Sequence, residues 1–242
     1  MARVAVVTGG TRGIGEGISM ALKAKGYRVG ATYAGNDTAA QQFQMKTGIP
    51  VFKFDVGDYA ACEKGVAQIA RDIGPVDVLV NNAGITRDAV LHRMAPAQWN
   101  EVIRTNLDSA FNMSRLVIEG MRARNYGRII SISSINGRKG QFGQANYSAA
   151  KAGLVGFSKA VALESAAKGV TCNVIAPGYI NTEMVAAVPK DVLEGKILPM
   201  IPVGRLGTAA EIARCVVFLA AEDAGFITGA CFDANGGQYM AT

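Results

Sequence analysis

The chain has little cysteine, a single histidine and no long apolar run, and each scarcity excludes a class of protein. Its four cysteines among 242 residues show no C-x-x-C spacing. No metal site is therefore expected, because zinc needs clustered thiolates or imidazoles. No stretch approaches the roughly 18 apolar residues of a membrane span. Charged residues make up only 18% of the chain and hydrophobic residues 50%, which argues against disorder.

Basic residues exceed acidic ones by 25 to 19, which gives a formal net charge of +6. They are scattered, and this favours a solvated basic surface or attraction to a phosphorylated small molecule over nucleic-acid binding. An apolar strand follows the first two residues, with no room before it for a signal peptide. We therefore expect a cytoplasmic protein that binds neither nucleic acid nor membrane.

Short apolar segments alternate with longer segments of helical periodicity. Strands are predicted near 3–8, 28–33, 50–54, 77–81, 128–133, 170–176 and 229–233, and helices near 13–25, 37–47, 58–73, 97–124, 145–168 and 208–221. This alternation indicates βαβ units. It predicts an α/β fold over residues 1–242, a single-domain Rossmann-like doubly wound parallel sheet of about seven strands with helices on both faces. Residues 181–207 contain three prolines and predict an irregular segment or a substrate lid.

The first predicted strand runs into T-G-G-T-R-G-I-G at 8–15, a glycine-rich turn that opens a helix. Such a turn lets backbone amides approach a pyrophosphate, although a plain tight βα turn is the alternative. An acidic residue at the end of the second strand would bond a ribose 2′-OH, but the neutral Tyr33 is expected there. Arg12 in the turn suits a 2′-phosphate. The cofactor predicted is therefore NADPH/NADP+ rather than NADH.

Tyr147 and Lys151 lie one helical turn apart in Y-S-A-A-K, and Ser134 precedes them in S-I-S-S-I-N-G. Side chains at this spacing face the same side of a helix. A phenol beside an ammonium, with a hydroxyl nearby, is suited to handing one proton to a carbonyl oxygen. For these three residues alone, a chance match is the alternative.

The motifs together resemble the short-chain dehydrogenase/reductase family over essentially the whole chain. The matching pieces are the glycine turn, Asp55-Val56, N-N-A-G at 81–84, Asn106 in T-N-L, Ser134, Y-S-A-A-K at 147–151 and P-G-Y-I-N-T at 177–182. The resemblance implies that Tyr147 is the general acid and that Ser134 orients the substrate oxygen. It implies that Lys151 lowers the pKa of Tyr147 and holds the cofactor ribose, while Asn106 orders water behind Lys151.

The resemblance also implies how the cofactor is held. The glycine turn would bind the pyrophosphate, Asp55 and Val56 the adenine end, and the N-N-A-G and P-G-Y-I-N-T segments the ribose and nicotinamide. For Asp55, an ordinary residue leading into a helix is the alternative. The predicted set is Gly9, Thr11, Arg12, Gly13, Ile14, Gly15, Tyr33, Asp55, Val56, Asn82, Ala83, Gly84, Ile85, Pro177, Gly178, Ile180 and Thr182.

Within this family the chain is similar to two groups that reduce 3-oxoacyl thioesters. Both share N-N-A-G-I-T-R-D (81–88), whereas N-G-R-K-G-Q-F-G-Q (136–144) favours the group that acts on acetoacetyl-CoA. The resemblance implies reduction of this acyl-CoA thioester to (3R)-3-hydroxybutyryl-CoA for polyhydroxybutyrate synthesis. A 3-oxoacyl-acyl-carrier-protein reductase is one alternative, and a non-catalytic dinucleotide sensor on the same fold is another.

Five residues are predicted to bind the substrate. Gln141 and Gln144 offer amide donors for the thioester carbonyl, and Phe142 offers an apolar wall for a short acyl chain. Asp88 and Tyr179 are expected to position the acyl and pantetheine portions. A plain surface loop is the alternative for 136–144. The resemblance further implies a homotetramer, in which the helices at 97–124 and 145–168 bury apolar faces between subunits.

Overall fold

The computed structural model describes residues 2–186 and 189–241. Seven strands form one sheet, namely β1 Val4–Val7, β2 Arg28–Tyr33, β3 Val51–Lys53, β4 Val78–Asn81, β5 Gly127–Ile132, β6 Val170–Pro177 and β7 Cys231–Ala234. All neighbouring strands are parallel, in the order β3-β2-β1-β4-β5-β6-β7. The winding direction reverses between β1 and β4, so a crevice opens at their carboxyl ends. The predicted fold class is confirmed.

Helices connect the strands. In the described residues they are α1 Gly13–Ala24, α2 Asp37–Thr47, α3 Tyr59–Asp72, α4 Pro96–Ile103, α5 Ser109–Ala123, α6 Ile135–Lys139, α7 Ala145–Ser165, α8 Glu183–Ala186, α9 Lys190–Val192 and α10 Ala209–Ala220. Short 3-10 segments occur at Leu91–Arg93, Ala166–Lys168, Leu198–Met200 and Glu222–Phe226, and π-turns at Arg104–Asp108 and Leu193–Ile197. None of the described helices has the combination of length and apolar character needed to cross a membrane.

Both faces of the sheet are covered, which explains why its strands are apolar throughout. Val4 and Val6 of β1 point to the face that is packed by α3, α5 and α7. Ala5 and Val7 point to the opposite face, against α1 and α10. The strands are therefore packed on both faces. This packing fixes the positions from which the site residues after their carboxyl ends begin.

The long helix predicted over 97–124 is interrupted by the π-turn at Arg104–Asp108. Two side chains in and after this turn bond to backbone carbonyl oxygens four residues earlier. Asn106 donates to Val102 at 2.8 Å, and Ser109 donates to Thr105 at 2.7 Å. Such bonds compete with the regular helical pattern, and single π-turns often lie at functional sites.

Two further differences concern short elements. The helix α6 was not predicted, because its N-G pair is typical of a turn, but Ser134 caps it by accepting a hydrogen bond from the backbone N–H of Asn136 at 3.1 Å. In 181–207, the described residues form α8, α9 and short π and 3-10 segments. Residues 187 and 188 of the predicted lid lie outside the described residues, and its role as a lid stays a prediction.

Candidate active site

Ser134, Tyr147 and Lys151 meet beyond the carboxyl end of β5. Ser134 lies two residues after the end of β5, and α7 carries Tyr147 in its first turn and Lys151 one turn later. The Nζ of Lys151 lies 5.6 Å from the centre of the Tyr147 ring and donates to the carbonyl oxygen of Ile132 at 2.8 Å. The Ser133 hydroxyl donates to the Lys151 carbonyl oxygen at 2.7 Å. These bonds attach α7, which carries Tyr147 and Lys151, to the end of β5.

Burial controls the protonation of this pair. Desolvation raises the pKa of Tyr147 to about 12, hydrogen bonding to Ser134 acts in the opposite direction, and the negative charge of Asp88 raises it further. Desolvation lowers the pKa of Lys151 to about 8. The causes of this shift do not include Lys151, whose Nζ donates to Ile132, so the lowering of the Tyr147 pKa by Lys151 stays a prediction. The phenol is neutral at neutral pH, the form that donates a proton.

Burial of the Lys151 ammonium is expected to lower the free energy of unfolding, and comparison with Lys151→Met tests this. Its folded-state pKa of about 8 lies below the ordinary value of 10.5, so between these two values the unfolded chain binds more protons at this site. This group therefore reduces the free energy of unfolding most below pH 8, and the reduction disappears as the pH rises toward 10.5. We expect the free energy of unfolding of the wild type to rise, relative to Lys151→Met, by up to about 3 kcal/mol over that range.

Urea unfolding of the two proteins at a series of pH values measures this difference. If it stays constant from neutral pH to pH 10, the ammonium is not desolvated as described.

Asn106 is buried and its amide is bonded to the backbone beside Gly84. Its Nδ2 donates to the Ile85 carbonyl oxygen at 3.0 Å, and its Oδ1 accepts from the Ile85 N–H at 3.2 Å. A Cβ on Gly84 would lie 2.5 Å from the Asn106 Oδ1 and 3.4 Å from the Lys151 Nζ. The structure thus places Asn106, Gly84, Ile85 and Lys151 together, and only a residue without a side chain fits at position 84. The predicted water-ordering role of Asn106 stays a prediction.

The glycine turn is built around close backbone contacts. Gly9 and Gly13 have φ values of 60° and 54°, which favour glycine. A Cβ on Gly15 would overlap the carbonyl oxygen of Gly9. The Asn82 Nδ2 donates to the carbonyl oxygens of Thr8 and Gly9 at 2.9 and 3.2 Å. The Asn82 side chain therefore supports the turn from the neighbouring strand, and its amide is already occupied by backbone.

Thr8 was missed by the sequence analysis although it orders two predicted cofactor residues. Its hydroxyl oxygen accepts from the backbone N–H groups of Asn82 and Ala83 at 2.9 and 3.0 Å. Its position immediately after β1, before the first glycine, is the signal that was available. This bond draws the ends of β1 and β4 together on either side of the crevice.

The cradle fits a pyrophosphate. The α1 N-terminus opens at Gly13, where an added Cβ would meet only Thr182, at 3.7 Å, so backbone can approach a ligand closely. Unpaired N–H groups at a helix N-terminus attract anions. Of the other predicted residues, Thr11 is buried and Ile14 packs against the core beneath the turn.

The P-G-Y-I-N-T segment leaves the end of β6 beside this cradle. The Gly178 N–H donates to Ala234 at 3.0 Å, with Pro177 closing the strand. The side chain of Ile180 is buried in the core, so only the backbone of this residue can face the site. Thr182 lies against Gly13. The structure therefore places Thr182 of this segment at the glycine turn, and the predicted contact of the segment with ribose and nicotinamide stays a prediction.

Beside the end of β2, Lys53 at the end of β3 is paired with Asp37 at the start of α2. The sequence analysis did not predict this pair. Lys53 contacts Asp37 at 2.8 Å, and this bond is the main cause that lowers the pKa of Asp37. Tyr33 ends β2 as predicted, and its pKa is raised by desolvation and by a hydrogen bond to Asp37. Arg12 lies 3.9 Å from Glu183 and is largely exposed. Asp37, the carboxylate bonded to Tyr33, is therefore paired with a positive charge.

Asp55 lies at the carboxyl end of β3, and both of its oxygens have partners. One accepts from the Gly57 N–H at 2.9 Å, and the other from Arg104 of the π-turn at 2.8 Å. The side chain of Val56 is buried, and its carbonyl oxygen accepts from Asn112 at 3.0 Å. Asp58 caps α3, and Asp55 leads into that helix through its bond to Gly57, so the role of Asp55 at the adenine end stays a prediction. Arg104 was missed because the pattern at 97–124 is that of an uninterrupted helix.

Two of the five predicted substrate residues, Gln144 and Asp88, are bonded to each other, and the other three are not part of this contact. Gln144 donates to Asp88 at 2.8 Å and accepts from Asn136 at 2.9 Å, so part of its amide is already used. Gln141 and Phe142 line an open cavity of about 460 Å³ opposite Val90–His92. Phe142 is 87% exposed, so it forms a rim rather than an enclosed wall. Tyr179 is half-buried, and burial raises its pKa.

In the described part of the chain, no group of three or more His, Cys, Asp or Glu side chains is arranged to hold an ion. The single histidine, His92, is exposed on a 3-10 segment at the cavity.

Comparison with known proteins supports the pattern of motifs. A family model described as enoyl-(acyl carrier protein) reductase matches residues 9–238. The acetoacetyl-CoA reductase of Rhizobium meliloti (strain 1021) is 64% identical over 100% of both chains, and that of Paracoccus denitrificans is 61% identical over 99% of this chain and 100% of its own. The 3-oxoacyl-[acyl-carrier-protein] reductase FabG of Escherichia coli (strain K12) is 47% identical over 98% of both.

These matches run the length of a chain whose parallel sheet, glycine turn and Tyr147–Lys151 pair were described above. They agree with the resemblance that the motifs indicated. The chain belongs to the short-chain dehydrogenase/reductase family of oxidoreductases.

Proposed function

We propose that this chain is an NADPH-dependent acetoacetyl-CoA reductase. It would convert acetoacetyl-CoA to (3R)-3-hydroxybutyryl-CoA and so supply polyhydroxybutyrate synthesis. One observation carries the proposal: Ser134, Tyr147 and Lys151 converge at the edge of the sheet that also carries the glycine turn, in a chain whose relatives named acetoacetyl-CoA reductase are 61–64% identical over the full length. The carrier-protein reductase is more distant, at 47%.

NADPH would supply a hydride to the 3-keto carbon. Tyr147 donates its phenolic proton to the keto oxygen, and its neutral form is available because its pKa is about 12. Ser134 donates a hydrogen bond to the same oxygen and orients it. The Lys151 ammonium, 5.6 Å from the ring centre, stabilises the phenolate that remains. Lys151 also holds the ribose, and Asn106 orders water behind it.

The cofactor would lie along the carboxyl ends of β1 to β4. The amides of Gly13, Ile14 and Gly15 hold the pyrophosphate, and Arg12 pairs with the 2′-phosphate. Asp55 and Val56 contact the adenine end. The ribose and nicotinamide lie between two segments, Asn82–Ile85 and Pro177–Thr182. The preference for NADPH is supported by the neutral side chain of Tyr33 at the end of β2 and by the pairing of Asp37, which is bonded to Tyr33, with Lys53.

Replacing Tyr33 with aspartate is expected to shift the cofactor preference toward NADH. A carboxylate there would repel a 2′-phosphate and accept a bond from a 2′-hydroxyl. We expect the ratio of the NADH to NADPH dissociation constants to fall by about tenfold or more, which corresponds to about 1.4 kcal/mol. Fluorescence titration with each cofactor measures it.

Tyr33→Phe is the matched control, because it removes the hydroxyl without adding charge and should leave the ratio within about twofold, a change worth less than 0.5 kcal/mol. An unchanged ratio in Tyr33→Asp would mean that the adenosine ribose does not lie at the end of β2.

Steady-state kinetics separates the proposed function from its alternatives. NADPH oxidation is followed with acetoacetyl-CoA and with acetoacetyl-acyl-carrier-protein, and kcat/KM is expected to be higher for the CoA thioester. The opposite order would favour the carrier-protein reductase, which the relatives at 47% identity keep as the second candidate. NADPH binding without turnover of either thioester would favour a non-catalytic sensor.

The proposal includes a homotetramer in the cytoplasm. An open cavity of about 530 Å³ lies between α5, α7 and the start of α3, and Leu107, Phe111 and Phe157 line it. Phe111 is 51% exposed there, which supports burial of this face against a second copy. Light scattering is expected to give about four times the 25.3 kDa chain mass, and a monomer would contradict it.

A further inference from the structure

Asn146 lies directly before Tyr147 and is completely buried, with 0% exposure. Its Oδ1 accepts a hydrogen bond from the Tyr147 backbone N–H at 2.8 Å. Its Nδ2 donates to the carbonyl oxygens of Arg87 and Gln98, at 3.0 and 3.2 Å. One amide therefore joins the start of α7, the segment after β4 and the helix α4.

The bond between Asn146 and the Tyr147 N–H satisfies a backbone donor at the N-terminus of α7. The first N–H groups of any helix lack partners within that helix. Gln144, the residue before α7, makes no side-chain capping bond, because its amide is directed at Asp88. The N–H of the residue that bears the phenol is instead satisfied by the side chain that precedes it. The backbone at Tyr147 is thus fixed by Asn146.

The bond to Arg87 fixes the other side of the site. Arg87 immediately precedes Asp88, whose charge raises the pKa of Tyr147. The next residue, Ala89, donates to the Gly143 carbonyl oxygen at 2.9 Å, so this segment lies alongside the one that leads into α7. Asn146 therefore fixes the distance between the backbone segments that carry Asp88 and Tyr147. Since Asn146 is fully buried and all three of its hydrogen bonds are made to backbone atoms, few rearrangements can replace it.

We infer that Asn146 is a positioning residue for proton transfer, which sets the Tyr147 phenol relative to Ser134 and Asp88. The inference rests on the proposed function, because it takes Tyr147 as the general acid. Asn146 itself touches neither substrate nor cofactor in this role. A misplacement of about 1 Å in a reacting group costs up to about 100-fold in rate, whereas binding contacts made elsewhere are unaffected.

Asn146→Asp and Asn146→Ala test this inference together. Aspartate keeps the size and the acceptor for Tyr147 but loses the donors to Arg87 and Gln98, and alanine loses all three bonds without adding charge. In both we expect kcat to fall about 10- to 100-fold. The KM for acetoacetyl-CoA and the NADPH dissociation constant should change by less than about threefold, and the solvent deuterium isotope effect on kcat should rise as proton transfer becomes slower.

Asn100→Asp on the exposed side of α4 is the matched control, because it makes the same chemical change where Asn100 is solvated. Its kcat is expected to stay within about twofold of the wild type. Circular dichroism checks the folding of each variant, and Asn146→Ser replaces any variant that does not fold. A folded Asn146 variant with wild-type kcat and only a lower Tm would overturn the inference, since that result describes a purely structural side chain.

Failure of the inference is distinguishable from failure of the proposed function. If the wild type turns over neither acetoacetyl thioester, the proposed function has failed. If the wild type is active on either thioester, each variant is compared with it on the same substrate, and the ratio of kcat values decides the role of Asn146.

Discussion

Tyr147→Phe is expected to lower kcat for thioester reduction by a factor of about 1,000, within the range found for loss of a general acid. Phenylalanine fills the same half-buried position but has no proton to give to the keto oxygen. The Lys151 bond to Ile132 does not involve the phenol, so Lys151 should stay in place. NADPH binding, measured by fluorescence titration, is therefore expected to change little.

Tyr27→Phe provides the comparison for this variant, since Tyr27 lies before β2, at the opposite end of the strands from the site, and its hydroxyl donates to the Ala220 carbonyl oxygen at 2.8 Å. It should keep wild-type kcat. Turnover by Tyr147→Phe at more than about a tenth of the wild-type rate would remove Tyr147 from the role of general acid, because an effect that small is below the usual contribution of one.

Gly15→Ala is expected to weaken NADPH binding by about 100-fold or more, which corresponds to about 2.7 kcal/mol. The new Cβ would overlap the Gly9 carbonyl oxygen and lie 2.7 Å from the Asn82 Nδ2. Backbone cannot move aside as a flexible side chain can, so the turn must open. The amides that would face a pyrophosphate would then be displaced from one another.

Gly225→Ala is the control for the added methyl group. A Cβ there would meet only the end of Arg128, at an ordinary 3.7 Å, and Gly225 lies in the 3-10 segment after α10. Its NADPH affinity should equal that of the wild type. Isothermal titration of the purified proteins measures both, and an intact affinity in Gly15→Ala would mean that the glycine turn does not hold the cofactor.

The strands were predictable because a parallel sheet covered on both faces demands continuous apolar segments, and each observed strand lies at a predicted one. Val4–Val7 and Val170–Pro177 are buried along their whole length, so no other pattern competes. The gathering of Ser134, Tyr147, Lys151 and the glycine turn followed from strand order, since residues after the carboxyl ends of neighbouring parallel strands meet at one edge.

Features that depend on contacts across the fold were not predictable. Gln144 looks like a free donor in the sequence, whereas Asp88 and Asn136 engage it in the structure. The pair formed by Lys53 and Asp37 joins the ends of two elements that no local pattern relates. The π-turn escaped detection because an extra residue in a helix leaves its composition unchanged, and only tertiary bonds reveal it.

That π-turn has a consequence for the two segments that it contacts. Within two residues of each other, Arg104 bonds Asp55 after β3, and Asn106 bonds Ile85 after β4. Both segments are therefore attached to one turn of helix rather than to separate elements. Deleting one residue from that turn would displace both bonds at once.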